Sequence, residues 1–228
     1  LSAMAIPSKT SYAAGTDTIQ SMVSVSQTAD DSQDFISAAS FNSTNNLPVS
    51  PSKYTHAAQF KGAKIQKGID VSQWNGPINW KKVKADGVDY AFIRLGNRGY
   101  TEGKLNLDKK FYRNMNRAAD AGVQVGVYFY SQATSTEEAR EEAQFVLDAL
   151  EGYSLGLPVV FDIEGAQNSS YRTYGLSAQT NTNIVKAFCR KIENAGYDVM
   201  YYSYCKFLIE QLDMSQLQQY DLWMAQYY

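Results

Sequence analysis

From Lys64 onward the chain alternates short apolar runs with longer stretches in which apolar residues recur every three or four positions, the two periods of strands and amphipathic helices. The runs Lys64 to Val71, Tyr90 to Leu95, Gln124 to Tyr130, Leu157 to Glu164, Val199 to Ser203 and Leu222 to Gln226 predict strands. Between them, Pro77 to Asp86 predicts a short helix anchored by Trp80 and Val83. Phe111, Met115, Ala118 and Ala119 share one face of a second helix that Asp108 is placed to cap. Ser135 followed by Glu138 is a capping-box spacing ahead of a stripe of Ala139, Ala143, Val146, Leu147 and Leu150, and Ser177 precedes a long helix with Ile184, Val185, Phe188 and Ile192 inward. Three of these helices end in Ala-Asp-Gly, Asp-Ala-Gly or Asn-Ala-Gly, at Gly87, Gly122 and Gly196, and run into a strand. The repeat is βα, and its nearly continuous apolar strands imply a parallel sheet covered on both faces. A β/α barrel, or a barrel-like sheet, is the natural closure, with its active site at the C-terminal strand ends.

Residues 1–62 break this pattern. They are rich in Ser, Thr, Ala, Asn and Gln, show no sustained period, and read as a low-complexity leader or linker ahead of a domain over 63–228. Leu1-Ser2-Ala3-Met4-Ala5 ends in an A-x-A pattern, as the tail of a secretory signal does, which points to export.

The strand ends carry the oddity. Pro158-Val159-Val160-Phe161-Asp162-Ile163-Glu164 finishes on two acids that share one face of an extended chain, about 6.7 Å apart along it. Acids in such a place also serve as helix caps or surface ion pairs, so alone they decide nothing. Asp70 ends another strand, however, and three acids meeting on one rim from separate strands suit a general acid and its partners better than capping does. Crowding and partial burial are expected to hold one of the pair protonated near neutral pH.

Composition narrows the chemistry further. The 228 residues carry a net charge of -2 with one histidine, His56, in the Ser-rich stretch, so no histidine-assisted nucleophile is available inside the domain. Cys189 and Cys205 do not form a metal-binding spacing, no phosphate loop is present, and neither a cofactor nor a metal is implied. No basic block suggests nucleic acid and no apolar run would span a membrane. Cys189 falls on an inner helix face and Cys205 follows a strand; two free thiols fit this better than a bridge, though a disulfide would suit an exported protein. Seventeen tyrosines, three tryptophans and ten phenylalanines are more than a core needs, and rings with polar edges stack on sugars, although most of them serve the core and its rim.

Several motifs together resemble the family 25 glycoside hydrolases, the lysozyme-type muramidases of autolysins and phage endolysins. They are Gly68-Ile69-Asp70-Val71-Ser72-x-Trp74-x-Gly76, Phe92-Ile93-Arg94, Asp108 with Phe111 and Asn114, Gly126-Val127-Tyr128-Phe129, Pro158 to Glu164, Tyr202-Ser203 and Leu222 to Tyr227. The resemblance implies a flattened, irregular β/α barrel that cleaves the β-1,4 bond between N-acetylmuramic acid and N-acetylglucosamine in peptidoglycan, with retention and help from the substrate's acetamido group. It implies Glu164 as general acid/base, Asp162 as the acid that assists the acetamido group and Asp70 as a further acid of the cleft. Tyr128, Tyr130, Tyr202, Trp223, Gln226 and Tyr227, at or near strand ends, are expected to line sugar subsites. The expected protein is a secreted, wall-associated monomer. A hydrolase of chitin-type polymers, or a wall-binding module with weak turnover, are the other readings. Two departures stand out: Phe129 occupies a position where the family often has His, and the chain stops at Tyr228, before the family's final strand and its further Asp. An open sheet edge and lowered stability or activity are therefore expected.

Overall fold

The computed structural model describes residues 21–24, 62 and 66–225. Its single sheet is made from strands β1 (Ser21–Ser24), β2 (Gly68–Val71), β3 (Tyr90–Arg98), β4 (Leu105–Leu107), β5 (Gln124–Ser131), β6 (Val159–Ile163), β7 (Val199–Tyr204) and β8 (Asp221–Ala225). Helices α1 (Trp80–Ala85), α2 (Phe111–Asp120), α3 (Thr136–Ala149), α4 (Ala178–Asn194) and α5 (Cys205–Gln211) connect or follow them. The strand order is β1-β8-β7-β6-β5-β3-β2, parallel throughout, with β4 antiparallel on β3. This is a curled parallel sheet, an open half-barrel, as the βα repeat predicts.

Curling follows from the sheet's twist and from what each face must bury. On the outer face Ala91, Ile93, Val125, Val127, Phe129, Val159, Phe161 and Ile163 join the inward stripes of the helices, Phe111, Met115, Val146, Ile184 and Phe188 among them, in one core. Phe161 and Phe188 pack ring on ring at 4.3 Å, tying β6 to α4. The inner face holds a second, smaller core of Tyr90, Phe92, Val160, Met200, Tyr202 and Trp223. The Phe92 ring on β3 lies 5.2 Å from Trp223 on β8, although β5, β6 and β7 separate these strands in the sheet. Only a curled sheet brings them together.

The three Ala-Asp-Gly-like endings form as their sequences require: Gly87, Gly122 and Gly196 take φ of 79°, 72° and 89°, a region L-residues rarely enter. Two expected caps differ in detail. Ser135 caps α3 by accepting from the Glu138 amide, but the Glu138 carboxylate reaches past Ser135 to accept from the amide and hydroxyl of Thr134 and from Arg172, so the capping box is half formed. Asp108 accepts from the Lys110 amide but does not cap α2, whose N-cap position is Lys110 without a side-chain bond. Its other oxygen is engaged by a buried Arg94, the reason it lies beneath the sheet end instead. Both cysteines are free, Cys189 buried inside α4 and Cys205 half-buried at the start of α5.

The edge of β8 that the sequence reading leaves open is paired, in parallel, with β1 from within residues 1–62, where no strand is expected; the sheet path ends at β1 and β2. Among the described residues no helix is long and apolar enough to cross a membrane.

Candidate active site

Parallel register decides which side chains become neighbours. Tyr130 on β5, Asp162 on β6, Tyr202 on β7 and Trp223 on β8 stand in one row, and Arg94, Tyr128, Val160 and Met200 form the row below. Alternation puts both rows, with Asp70 of β2, on the concave inner face toward its C-terminal end. There Asp70, Tyr128, Val160, Asp162, Glu164, Tyr202 and Trp223 line one cleft of ≈ 60 Å³. The three acids read from the sequence therefore share a cleft, with three of the rings expected beside them. Tyr130 stands next to Asp162 in register but does not line the cleft. Gln226 and Tyr227 lie outside the described residues.

Each acid sits in a different setting. Asp162 is 7% exposed, the penultimate residue of a wholly buried strand. Glu164, one residue beyond β6, is half-buried at the mouth. Asp70 keeps part of its surface at the opening, yet the atoms packed round it strip most of its hydration, and this burial raises its carboxyl above the ordinary aspartate value. The same cause acts on Tyr128: burial first, then the negative charge of Asp70, Asp162 and Asp108 against the Arg94 guanidinium, drive its phenol well above the ordinary tyrosine range. Tyr128 thus keeps its proton and remains a hydrogen-bond donor aimed among carboxylates. Tyr202 and Trp223 meet edge to face at 5.0 Å, which fixes the aromatic wall opposite.

Supporting contacts, which the sequence reading did not assign, hold these groups in place. Ser203 is fully buried and donates its hydroxyl to the Ile163 carbonyl at 2.5 Å, pinning the end of β6 one residue before Glu164. Just beyond, a Cβ on Gly165 would lie 2.5 Å from the Tyr204 hydroxyl, so a larger residue there would push the Tyr204 side chain aside. On the other wall, Asp108 accepts from Arg94 Nε and from the Gln73 amide, both at 2.9 Å, and Lys110 Nζ donates to the Gln73 carbonyl at 2.6 Å. The turn that follows Asp70 is thereby tied to the sheet through a buried ion pair. Farther round the rim, Arg172 donates to both oxygens of Glu138, at 2.6 and 3.0 Å, and to the Gln132 carbonyl, anchoring the long loop between β6 and α4. Arg94, Asp108 and Ser203 are visible as motif residues, though not their contacts; Gly165 carries no signal in a single sequence that separates it from ordinary loop residues.

Among the described residues no group of three or more His, Cys, Asp or Glu is placed to hold a metal ion. The arrangement offers proton transfer between oxygen acids, a protonated phenol and stacking surface, the elements needed to cleave a glycosidic bond.

Comparison with known proteins places the chain in a family. Residues 69–228 match the family model for glycosyl hydrolases family 25. The chain is 29% identical over 161 residues to the autolytic lysozyme of Clostridium acetobutylicum, covering 71% of this chain and 45% of that protein. It is 33% identical over 141 residues to lysozyme M1 of Streptomyces globisporus, covering 60% and 46%. Thus it spans less than half the length of these relatives. Among solved structures, the modular autolysin LytC of Streptococcus pneumoniae superposes with a TM-score of 0.63 at 27% identity, over 71% of this chain and 37% of that one, and LytC has also been solved with a synthetic peptidoglycan ligand. The bacterial lysozyme of Streptomyces coelicolor gives 0.58 at 27% identity, over 70% and 73%. With a family model covering most of its length and its strand-end acids gathered in one cleft, the chain belongs to glycosyl hydrolases family 25.

Proposed function

We propose that this chain is a peptidoglycan muramidase that hydrolyses the β-1,4 bond between N-acetylmuramic acid and N-acetylglucosamine with retention of configuration. The observation that carries this reading is the single cleft in which Asp70, Asp162 and Glu164 stand against Tyr128, Tyr202 and Trp223. Its relatives, named as lysozymes and autolysins, and the peptidoglycan ligand bound by LytC support the choice of substrate.

Glu164, at the mouth, donates its proton to the glycosidic oxygen as the C1–O bond breaks. The carbonyl oxygen of the muramyl 2-acetamido group attacks C1 from the opposite face, closing an oxazolinium ring, so that the sugar forms no bond to the protein. Asp162 accepts a hydrogen bond from the acetamide N–H, which orients the group and balances the positive charge that builds on it. Glu164, now a carboxylate, takes a proton from water as that water attacks C1; the ring reopens and the second inversion restores the configuration. Asp70 adds negative charge near the developing oxocarbenium, Tyr128 donates to sugar oxygens, and Tyr202 and Trp223 supply apolar surface for the ring. General acid–base help of this kind contributes about 10²–10⁴-fold. The enzyme acts outside the cell, on the bacterial wall, as a monomer.

Mass spectrometry of soluble products from purified peptidoglycan tests the reading. Fragments ending in reducing N-acetylmuramic acid, released first as the β-anomer by NMR, are expected. Reducing N-acetylglucosamine ends, an α-anomer, or cleavage of chitin oligomers in preference to wall would overturn it.

A further inference from the structure

Glu164 lines two cavities. Beyond the acid cleft, on the side of α5, lies a larger one of ≈ 440 Å³, within the range of ligand sites, whose walls are the exit of β6, the loop before α4 and the first turns of α5. Its lining differs in kind from that of the cleft. Tyr174, Tyr204 and Phe207 give ring surface, and α5 adds a cation and an anion, Lys206 and Glu210, one helical turn apart. Both are exposed, and neither forms an ion pair among the described residues. Tyr174 is 59% exposed.

From this we infer that the second cavity is a binding site for the peptide stem of the muramyl residue, with Lys206 and Glu210 as its specificity-determining charges and Tyr174 as its platform. The inference rests on the muramidase reading and deepens it. Charge selects the occupant. The glycan strand of peptidoglycan is neutral, since its sugars carry acetamides and hydroxyls and the lactyl carboxyl of the muramyl residue is consumed in the bond to the stem. Stem peptides carry free carboxylates and, on their diamino acid, an ammonium. A site that offers one lysine and one glutamate at fixed spacing complements that pattern, whereas a further neutral sugar would leave both charges unanswered. Position agrees with charge. A muramyl residue whose glycosidic oxygen receives the proton of Glu164 carries its lactyl branch on the same ring, a few bonds away, and the cavity opens from that acid. Binding energy gathered there, away from the reacting atoms, serves to orient the bond being cut.

The test compares glycan strands that bear stems with the same strands stripped of them by an amidase, as a ratio of kcat/KM, for the parent and for the Lys206→Ala, Glu210→Ala and Tyr174→Ala variants. The parent is expected to favour stem-bearing strands. The Lys206→Ala/Glu210→Ala double variant should lower that ratio about fivefold, as two exposed charge contacts would, without shifting the thermal midpoint. An unchanged ratio, whether both rates fall together or neither moves, would overturn the stem site while leaving muramidase activity standing. Calorimetry with the free tetrapeptide L-alanyl-D-isoglutamyl-L-lysyl-D-alanine separates the two readings. Binding by the parent that is lost in the double variant supports the site even if no strand is cleaved. Cleavage without peptide binding at millimolar concentration sinks the site and spares the enzyme.

Discussion

The two faces of β6 are equally buried and chemically opposite. Val159, Phe161 and Ile163 point outward into the helix-covered core, while Val160 and Asp162 point inward, followed by Glu164 at the mouth. Burial alone thus does not separate structure from chemistry in this sheet; direction does. On the outer face Val159 and Phe161 pack among apolar side chains, and their loss is a matter of packing. Inward, the sheet curls round its own concave surface, so acids at strand ends meet other strand ends and become a site. Truncating an outer residue is expected to change stability and leave the catalytic groups in kind; altering an inner acid is expected to do the reverse.

The sharpest way to break that contrast is Phe161→Ala. Phe161 is fully buried against Phe188, and the cavity left behind is expected to lower stability by about 3–5 kcal/mol. Denaturant unfolding gives the number, and turnover measured well below the new midpoint should remain within a few-fold of the parent. A variant of normal stability that failed to turn over would show that the outer face shapes the chemistry directly.

A smaller effect, and one that crosses the two faces, is expected from Ser203→Ala. The change removes the buried Ser203 hydroxyl that donates to the Ile163 carbonyl, worth about 1–3 kcal/mol. Because Glu164 follows directly, kcat should fall several-fold with KM nearly unchanged. A loss in stability with no change in kcat would confine Ser203 to the fold.

The acids, the βα repeat and the inner helix stripes could be read in the sequence because each rests on a local period. The hairpin strand Leu105–Leu107 could not, being too short to show alternation, and α5 could not, because it starts at Cys205 directly from β7 with no side-chain cap. Glu138 illustrates a rule satisfied only in part: its spacing from Ser135 signals a helix start correctly, but a tertiary contact with Arg172 and a local one with Thr134 take the carboxylate that the rule assigns to the Ser135 amide. Asp108 does not cap α2 for the same reason: one of its oxygens is taken by the Arg94 guanidinium and the Gln73 amide. Tyr130, expected at the sugars, is the register partner of Asp162 on the neighbouring strand yet outside the cleft, and no strand period reports how far a curled sheet opens.

The proposed mechanism turns on Glu164 as the proton donor. The measurement that tests it most directly is the rate of reducing-end release from purified peptidoglycan by Glu164→Gln beside the parent, with thermal melts of both. The change keeps shape and removes only the titrating proton. A fall of about 10²–10⁴-fold with an unchanged melt is expected; release at the parental rate by a folded variant would contradict the assignment.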